Sequence, residues 1–336
     1  MMVRYLQFQM DLYLMSRMQW SVSLLITICL RIGCLNFYSS RMEGRMKILN
    51  LGSINIDKLY KLQRFAYEGE TIKVEDYSEN PGGKGLNQSI AMTRAGTQVY
   101  HAGKVGKDGL YLKDFLDKQG INTDYLMLSD QATGHALIQV NEKGENSILV
   151  VGGANDDLDL NDFDCILSDF DKGDVLLLQN EVKGTLDIID KAYEKNMIVV
   201  LNPSPITQTL KSLDLRKINY LIMNVHEALL LSEQDNIENA MTYFLSKNKT
   251  IKVVITRGGQ GVIYKDSDQV VECDAINIEI VDTTGAGDTF LGYFMASMLS
   301  AEQVYEALEL ASKAASLAIG KSGAARSIPW IDEVNN

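Results

Sequence analysis

Short apolar runs alternate with helical patterns along the chain from residue 46 onward. Five of these runs have the length and composition of buried strands: KILNLG, DVLLLQN, MIVVLN, NYLIMN and KVVIT. Apolar residues recur at helical spacing in the segments between them. Buried strands separated by helices are typical of βαβ units around a mostly parallel sheet. The pattern therefore predicts an α/β fold, with a central, mostly parallel sheet flanked by helices.

Two stretches, residues 58–80 and 134–152, do not follow this alternation of strands and helices. The second contains GHALIQVNEKGENSILVV, in which two runs flank a glycine-containing turn. Such runs favour an antiparallel ribbon over a βα unit. We expect both stretches to belong to one small β-sheet that covers the site.

The first 45 residues do not share the α/β pattern. Val22–Leu30 is apolar, but Arg31 ends it before the roughly 20 residues that a membrane span requires. Met46 opens directly into a strand. We therefore interpret residues 1–45 as an N-terminal extension outside the fold, in preference to a signal peptide or anchor, and residues 46–330 as the domain.

Composition narrows the classes of partner. The net charge of −12 over 336 residues opposes a partner held through its phosphates, such as duplex DNA, so no nucleic acid is expected. The 4 cysteines form no CxxC pair and there are only 3 histidines, which argues against a zinc site or a disulfide framework. A reducing cytoplasmic location is expected, without a membrane.

The strongest chemical signal is DTTGAGDTF at residues 282–290, which lies between an expected strand around IEIV and a helix expected to bury one apolar stripe. Gly285, Ala286 and Gly287 have little or no side chain, so their N–H groups can approach an anion at the start of a helix. Asp288 follows in the first turn, where its carboxylate can accept the proton of an attacking hydroxyl. The alternative is an aspartate that caps a helix after a glycine turn.

A second signal is NPGGKGLNQSIAMTRAG at residues 80–96. Its glycines and Lys84 precede a helix, which allows a close backbone approach beside one cation. Asn87 is well placed to hydrogen-bond hydroxyl groups. A glycine turn with a solvated lysine is the alternative interpretation of this segment.

Three weaker signals lie at strand ends, where open α/β sheets bind their ligands. Asn55 and Asp57 in SINID follow the first strand and can hydrogen-bond both hydroxyls of a vicinal diol. The alternative is that they only form a turn. Asn224 and Glu227 in NVHE can hold water around Mg²⁺ on ATP, or cap a helix. TRGGQG at 256–261 permits a nucleotide to lie against backbone, or forms a hairpin turn.

Taken in this order, these segments resemble the ribokinase-like (PfkB) carbohydrate kinase family. The resemblance spans Met46 to Trp330 and includes both signature regions, GGKG and DTTGAGD. It implies that ATP phosphorylates the primary hydroxyl of a sugar, with the small sheet as a lid and as the contact of a homodimer. Asn87 and Glu181 favour a free pentose such as ribose. Kinases of fructose, deoxyribose or a nucleoside, and a non-catalytic sugar or nucleotide sensor, are the alternatives.

The resemblance also implies roles for individual residues. The base is Asp288, beside an anion hole of Gly285, Ala286 and Gly287. The sugar-binding set is Asn55, Ile56, Asp57, Gly83, Lys84, Gly85, Leu86, Asn87, Glu181 and Asp288. The nucleotide-binding set is Asn224, Thr256, Arg257, Gly258, Gly259, Gln260, Gly261, Gly287, Asp288 and Ser312. Potassium is implied at Asp282, Thr284, Ala318, Lys321, Gly323 and Ser327, and Mg²⁺ near Glu227 through water.

Overall fold

The computed structural model describes residues 46–336. The predicted extension, residues 1–45, lies outside the described residues. The strands are β1 (Ile48–Leu51), β2 (Asn55–Lys61), β3 (Asp76–Gly82), β4 (Val99–Val105), β5 (Asn122–Leu128), β6 (Gly134–Val140), β7 (Asn146–Val151), β8 (Val175–Gln179), β9 (Ile198–Asn202), β10 (Tyr220–Asn224), β11 (Lys252–Thr256), β12 (Val262–Lys265) and β13 (Val270–Cys273). The α-helices are α1 (Lys84–Arg94), α2 (Leu110–Lys118), α3 (Leu160–Leu167), α4 (Thr185–Glu194), α5 (Val225–Ser232), α6 (Ile237–Lys247), α7 (Ala286–Leu299), α8 (Val304–Ile319) and α9 (Ile331–Asn335).

A 9-stranded sheet forms the centre, in the order β13-β12-β11-β10-β9-β8-β1-β4-β5. The pairings from β5 to β11 are parallel, and β12 and β13 add an antiparallel edge. All five strands predicted from apolar runs are present, as β1, β8, β9, β10 and β11. Successive side chains of β1 enter opposite core clusters, Ile48 on one face and Leu49 on the other. A strand that is covered on both faces is apolar throughout, which is why the apolar runs in the sequence predicted these strands correctly.

A second sheet of 4 strands has the order β3-β2-β6-β7. The two hairpins are antiparallel, as predicted, but they join through a parallel pairing of β2 with β6. Asn55 and Asp57 lie in β2 and not at the end of the first strand. The chain leaves the central sheet after Leu51 and enters the small sheet at Asn55. This correction places both side chains where the chain passes between the two sheets.

One further prediction near the carboxyl end is wrong, and a second is incomplete. The predicted strand IEIV at residues 278–281 is extended chain outside either sheet, and Ile280 and Val281 are 64% and 60% exposed. Its N–H groups at Val281 and Asp282 instead bind the carbonyl of Ile319 at the end of α8. Helix α7 was expected to bury one stripe, but every residue from Asp288 to Ser297 is buried. It packs between α1 and α8, so it has almost no solvent face.

Helices α1 and α7 approach each other very closely. A Cβ atom at Gly292 would lie 2.3 Å from the Cβ of Ala91 and 2.8 Å from the backbone nitrogen of Met92. Only glycine permits this separation. One turn toward the amino end of each helix lie Asn87 on α1 and Asp288 on α7. The contact therefore sets the distance between these two side chains.

Candidate active site

The amino end of α7 forms one wall of the site. Gly285 is the residue before the helix and has a φ of 77°, in the left-handed region that glycine adopts without strain. The N–H groups of the first helical turn lack intrahelical acceptors and carry the positive end of the helix dipole. No heavy atom lies within 4 Å of the position that a Cβ would take at Gly287. This helix end therefore has room for an anion against its backbone.

The Asp288 carboxylate points across to α1. Gln88 Nε2 donates to its Oδ1 at 2.9 Å, and Asn87 Nδ2 donates to its Oδ2 at 3.1 Å. Asp288 lies in the first turn of α7, as predicted, and is 7% exposed. Both hydrogen bonds come from side chains of another helix and not from its own backbone. The arrangement matches an oriented carboxylate better than it matches a helix cap.

Three carboxylates and one ammonium group interact electrostatically in this site; they belong to Asp57, Glu181, Asp288 and Lys84. Burial, followed by the charges of Glu181 and Asp288, raises the pKa of Asp57 to about 7. The charge of Asp288 raises the pKa of Lys84, because the nearby carboxylates stabilise its ammonium form. Burial raises the pKa of the Glu181 carboxyl. Asp57 and Asp288, which come from opposite ends of the chain, thus belong to one site.

Glu181 is held at the start of α1. Ser53 donates to Glu181 Oε2, and the backbone N–H of Lys84 donates to the same oxygen at 3.1 Å. A Cβ at Gly85 would lie 2.5 Å from the Gly52 carbonyl carbon, so α1 can begin against the end of β1 only with glycine there. The GGKG segment is therefore a close helix–strand contact as well as a source of one cation.

Asn155 is a residue of this region that sequence analysis did not identify. Its Nδ2 donates to Asn55 Oδ1 at 2.8 Å, and its Oδ1 accepts from the N–H of Ile54 at 3.1 Å. It is 2% exposed, and a Cβ at Gly134 would lie 2.1 Å from its Nδ2. Because Asn55 Oδ1 accepts this hydrogen bond, the Asn55 Nδ2 group points away from Asn155. No periodic pattern in the sequence indicates this role, because Asn155 lies in a short 3₁₀ helix, Gly153–Asp157, and not in a longer helix or strand.

The sugar-binding set predicted by resemblance is brought together only in part. Ile56 and Leu86 are 4% and 0% exposed and belong to the main apolar core. Their side chains face the core, which leaves only their main chain for contact with a substrate. Asn55 and Asn87 are also buried, at 5% each, but both belong to hydrogen-bond networks with other polar residues.

The predicted nucleotide segment TRGGQG forms the turn between β11 and β12, as its alternative interpretation had it. Arg257 N–H donates to the Gly261 carbonyl at 2.7 Å, and the Arg257 guanidinium pairs with Glu272 at 2.9 Å. Around Gly258 and Gly259 no heavy atom lies within 4 Å of a Cβ position. The turn therefore presents exposed backbone to solvent. Gln260 belongs to the same turn, and Thr256 ends β11.

Asn224 and Glu227 form a reciprocal cap at the start of α5. Asn224 Oδ1 accepts from Glu227 N–H at 2.9 Å, and Glu227 Oε2 accepts from Asn224 N–H at 3.0 Å. Glu227 also contributes to the raised pKa of Lys84, after Asp288 and Glu181. Residues 46–336 contain no cluster of three or more His, Cys, Asp or Glu side chains suited to a metal ion. Mg²⁺ on a nucleotide keeps several waters and takes few protein ligands.

Five of the six residues predicted to hold potassium lie on two loops that meet, and the sixth, Ala318, lies in the last turn of α8. The Asp282 carboxylate accepts from the N–H groups of Thr284 and Gly323, each at 2.9 Å. The Ala318 carbonyl accepts from Lys321 N–H at 3.0 Å, and Ser327 Oγ donates to the Ala324 carbonyl at 2.9 Å. Ser312 lies apart from these loops, in the middle of α8, where its hydroxyl neighbours the Cys273 thiol.

Comparison with known proteins decides the family. The model of the pfkB family carbohydrate kinases matches residues 46–331. The chain belongs to this family. A ribokinase of Staphylococcus aureus (strain COL) is 37% identical over 309 residues, covering 86% of this chain and 98% of the relative. A deoxyribokinase of Salmonella typhi is 30% identical over 300 residues, covering 86% of this chain and 98% of the relative.

The fold agrees with solved structures of the pfkB family. The structure of Arabidopsis thaliana ribokinase complexed with ribose and ATP has a TM-score of 0.74 and 26% identity, covering 87% of this chain and 98% of that chain. The predicted α/β architecture, with a central mostly parallel sheet and a separate small sheet, is confirmed. In this pfkB chain the described residues contain no helix long and apolar enough to cross a bilayer.

Proposed function

We propose that this carbohydrate kinase transfers the γ-phosphoryl group of ATP to the primary hydroxyl of ribose and forms ribose 5-phosphate. The observation that carries the proposal is the convergence of Asp57, Lys84 and Glu181 on Asp288, beside the open amino end of α7. Two carboxylates suited to sugar hydroxyls thus lie next to a carboxylate suited to act as a base. The relatives that carry the name ribokinase support ribose as the sugar.

The reaction follows from these positions. The sugar oxygen attacks the γ-phosphorus, the bond from that phosphorus to the β,γ-bridging oxygen breaks, and ADP departs. Asp288 accepts the proton of the attacking hydroxyl. Asn87 and Gln88 hold the carboxylate so that it keeps one orientation while it does so. Lys84 and the first amides of α7 stabilise the charge that spreads over the phosphoryl oxygens.

The metal ions of the prediction fit these residues. Mg²⁺, when bound with ATP, would neutralise phosphate charge, and Glu227, whose charge contributes to the raised pKa of Lys84, is the carboxylate proposed to hold it through water. Potassium is proposed at the two loops joined by Asp282 and Gly323. The Asp282 carboxylate fixes the backbone of both loops, and backbone carbonyls are suitable ligands for a monovalent cation.

The small sheet is proposed as a lid and as the contact of a homodimer. Its edge strand β7 has Ile148 to Val151 between 48% and 63% exposed on both faces. A long apolar edge strand is normally paired or covered. A second copy of the sheet fits that requirement. A cytoplasmic location is proposed as well, and within the described residues Cys165 and Cys273 are both free thiols.

A coupled ADP-release assay tests the proposal. Ribose, deoxyribose, fructose and a nucleoside are compared at equal concentration with ATP and Mg²⁺, with and without potassium. We expect ADP release that depends on added sugar and is fastest with ribose, and faster with potassium present. Deoxyribose is the second candidate, because a deoxyribokinase is 30% identical to this chain. Sugar binding without any ADP release would instead establish a sensor.

A further inference from the structure

A chain of buried amide side chains lies directly beneath the Asp288 carboxylate. It consists of Asn50 on β1, Gln179 on β8 and Gln88 on α1, which are 0%, 0% and 1% exposed. Asn202, at the end of β9, accepts a second hydrogen bond from Gln88 Nε2 at 3.3 Å. Most buried amide groups are hydrogen-bonded, and Gln179 Oε1 is the one amide atom of these four side chains without a partner within residues 46–336. The chain is therefore a network whose internal orientations can be deduced.

The orientation starts at a backbone carbonyl. Asn50 Nδ2 lies 2.8 Å from the carbonyl oxygen of Gly85, and a carbonyl can only accept. The Asn50 Oδ1 atom must therefore face Gln179, whose Nε2 donates to it at 3.0 Å. The same Nε2 donates to Gln88 Oε1 at 2.6 Å. Because Gln88 Oε1 accepts this hydrogen bond, only the Nε2 group of Gln88 can face Asp288, and it can only donate.

A second backbone carbonyl, on another strand, independently requires the same orientation of the Gln88 amide. Asn202 Nδ2 donates to the carbonyl oxygen of Ile222 at 2.9 Å, which turns Asn202 Oδ1 toward Gln88. An acceptor there requires the nitrogen of the Gln88 amide, in agreement with the path through Gln179. Two carbonyl groups on separate elements thus fix the same donor. A flipped Gln88 would set its oxygen against the oxygens of both Asp288 and Asn202.

Asn87, the other donor to Asp288, is not fixed in this way. Its Oδ1 atom is buried and has no hydrogen-bond partner within residues 46–336. Asn87 Oδ1 can therefore accept a hydrogen bond from a ligand hydroxyl while Asn87 Nδ2 still donates to Asp288. Of the two donors to Asp288, Gln88 is therefore the one whose orientation is preset by other residues of the protein.

From this network we infer that Gln88 is a positioning residue, which holds the Asp288 carboxylate through a donor preset by Asn50, Gln179 and Asn202. The inference rests on the proposed function of Asp288 as the base. A base displaced by about 1 Å loses on the order of 100-fold in rate, whereas substrate binding need not change. Gln88 should therefore govern kcat and leave the KM of sugar and nucleotide nearly constant.

Gln88→Met removes the donor with little change in side-chain size. Thr93→Val is the matched control, because Thr93 lies on the same helix and its Oγ1 has no hydrogen-bond partner in the described part of the chain. We expect Gln88→Met to lower kcat about 10- to 100-fold with both KM values within about threefold. Thr93→Val should match the parent. A Gln88→Met protein with the parent's kcat overturns the inference, as does one whose KM values rise in step with the loss of rate.

Gln88→Glu gives a readout that loss of packing alone would not produce. It places a carboxyl group against Asp288, which already faces Lys84, Glu181 and Asp57. Neighbouring carboxylates share a proton, so the acidic limb of the kcat–pH profile should move to higher pH. An unmoved limb contradicts the inference. If Gln88→Met does not fold, Asn202→Ala decides, with about a threefold loss of kcat expected at constant KM and an unchanged kcat as the contrary result.

Asp288→Asn, assayed in parallel, separates the two hypotheses. If Asp288→Asn is inactive while Gln88→Met turns over normally, only the positioning role is wrong. If Asp288→Asn turns over normally, the proposed base itself is wrong.

Discussion

Asp57 predicts an unusual pH dependence of sugar binding. Burial and two neighbouring carboxylates raise its pKa from 3.8 to about 7, so near neutral pH about half of the protein has this carboxyl protonated. Only the ionised form can accept two hydroxyl hydrogens. The apparent dissociation constant rises in inverse proportion to the competent fraction. The KM for ribose should therefore rise about tenfold for each pH unit below about 6, and level off above about 8.

Steady-state kinetics across pH 5.5 to 8.5 at saturating ATP measure this effect. Asp57→Asn is the control, because its amide does not titrate and should give a higher KM with a flat profile. A ribose KM that stays constant over this range in the parent would refute the assignment. The same slope in Asp57→Asn would show that another group is responsible.

The same shift has a consequence for stability. A carboxyl whose pKa is higher in the folded state binds a proton on folding, so its contribution to stability falls as pH rises from 3.8 to about 7. The full shift corresponds to at most roughly 4 kcal/mol. Asp57→Asn should therefore unfold at a higher denaturant concentration than the parent at pH 8, although it binds sugar less well. Equal midpoints at pH 8 would argue against the raised pKa.

Two substitutions away from the base test how the site is held. Gly292→Val would force its Cβ into Ala91, 2.3 Å away, and we expect α1 to shift, with a kcat loss of about 100-fold. Kinetics beside a denaturant melt measure it, and unchanged kcat would contradict the packing argument. Asn155→Ala frees Asn55 and leaves a buried group unpaired, costing about 1–3 kcal/mol. We expect a roughly tenfold higher ribose KM with the ATP KM unchanged, and a normal ribose KM would exclude this role.

The sequence predicted the parts of this protein that rest on local patterns. The central strands could be predicted because both of their faces are buried, which makes them apolar throughout. The start of α7 could be predicted because Gly285 and Gly287 precede Asp288. The apolar IEIV segment has the same local pattern as a strand, but it finds its partner in a carbonyl of α8. Local pattern cannot distinguish those two outcomes.

The residues that were missed depend on contacts between distant parts of the chain. Gln88 and Asp288 are separated by 200 positions, and Asn155 and Asn55 by 100. A single polar residue such as Gln88 or Asn155 has no periodic signature. Its role appears only when the helices pack, as Gly292 against Ala91 shows for Gln88. The proposed lid and potassium loops stay predictions, since they concern partners and ions.

The most direct test of the central claim is the rate of phosphoryl transfer in Asp288→Asn. A single-turnover experiment with excess protein over ATP, at saturating ribose, measures the chemical step apart from product release. Because Asp288 is proposed to take the proton of the attacking hydroxyl, the rate should fall at least about 100-fold while ATP still binds. Transfer at the parent's rate would contradict the account.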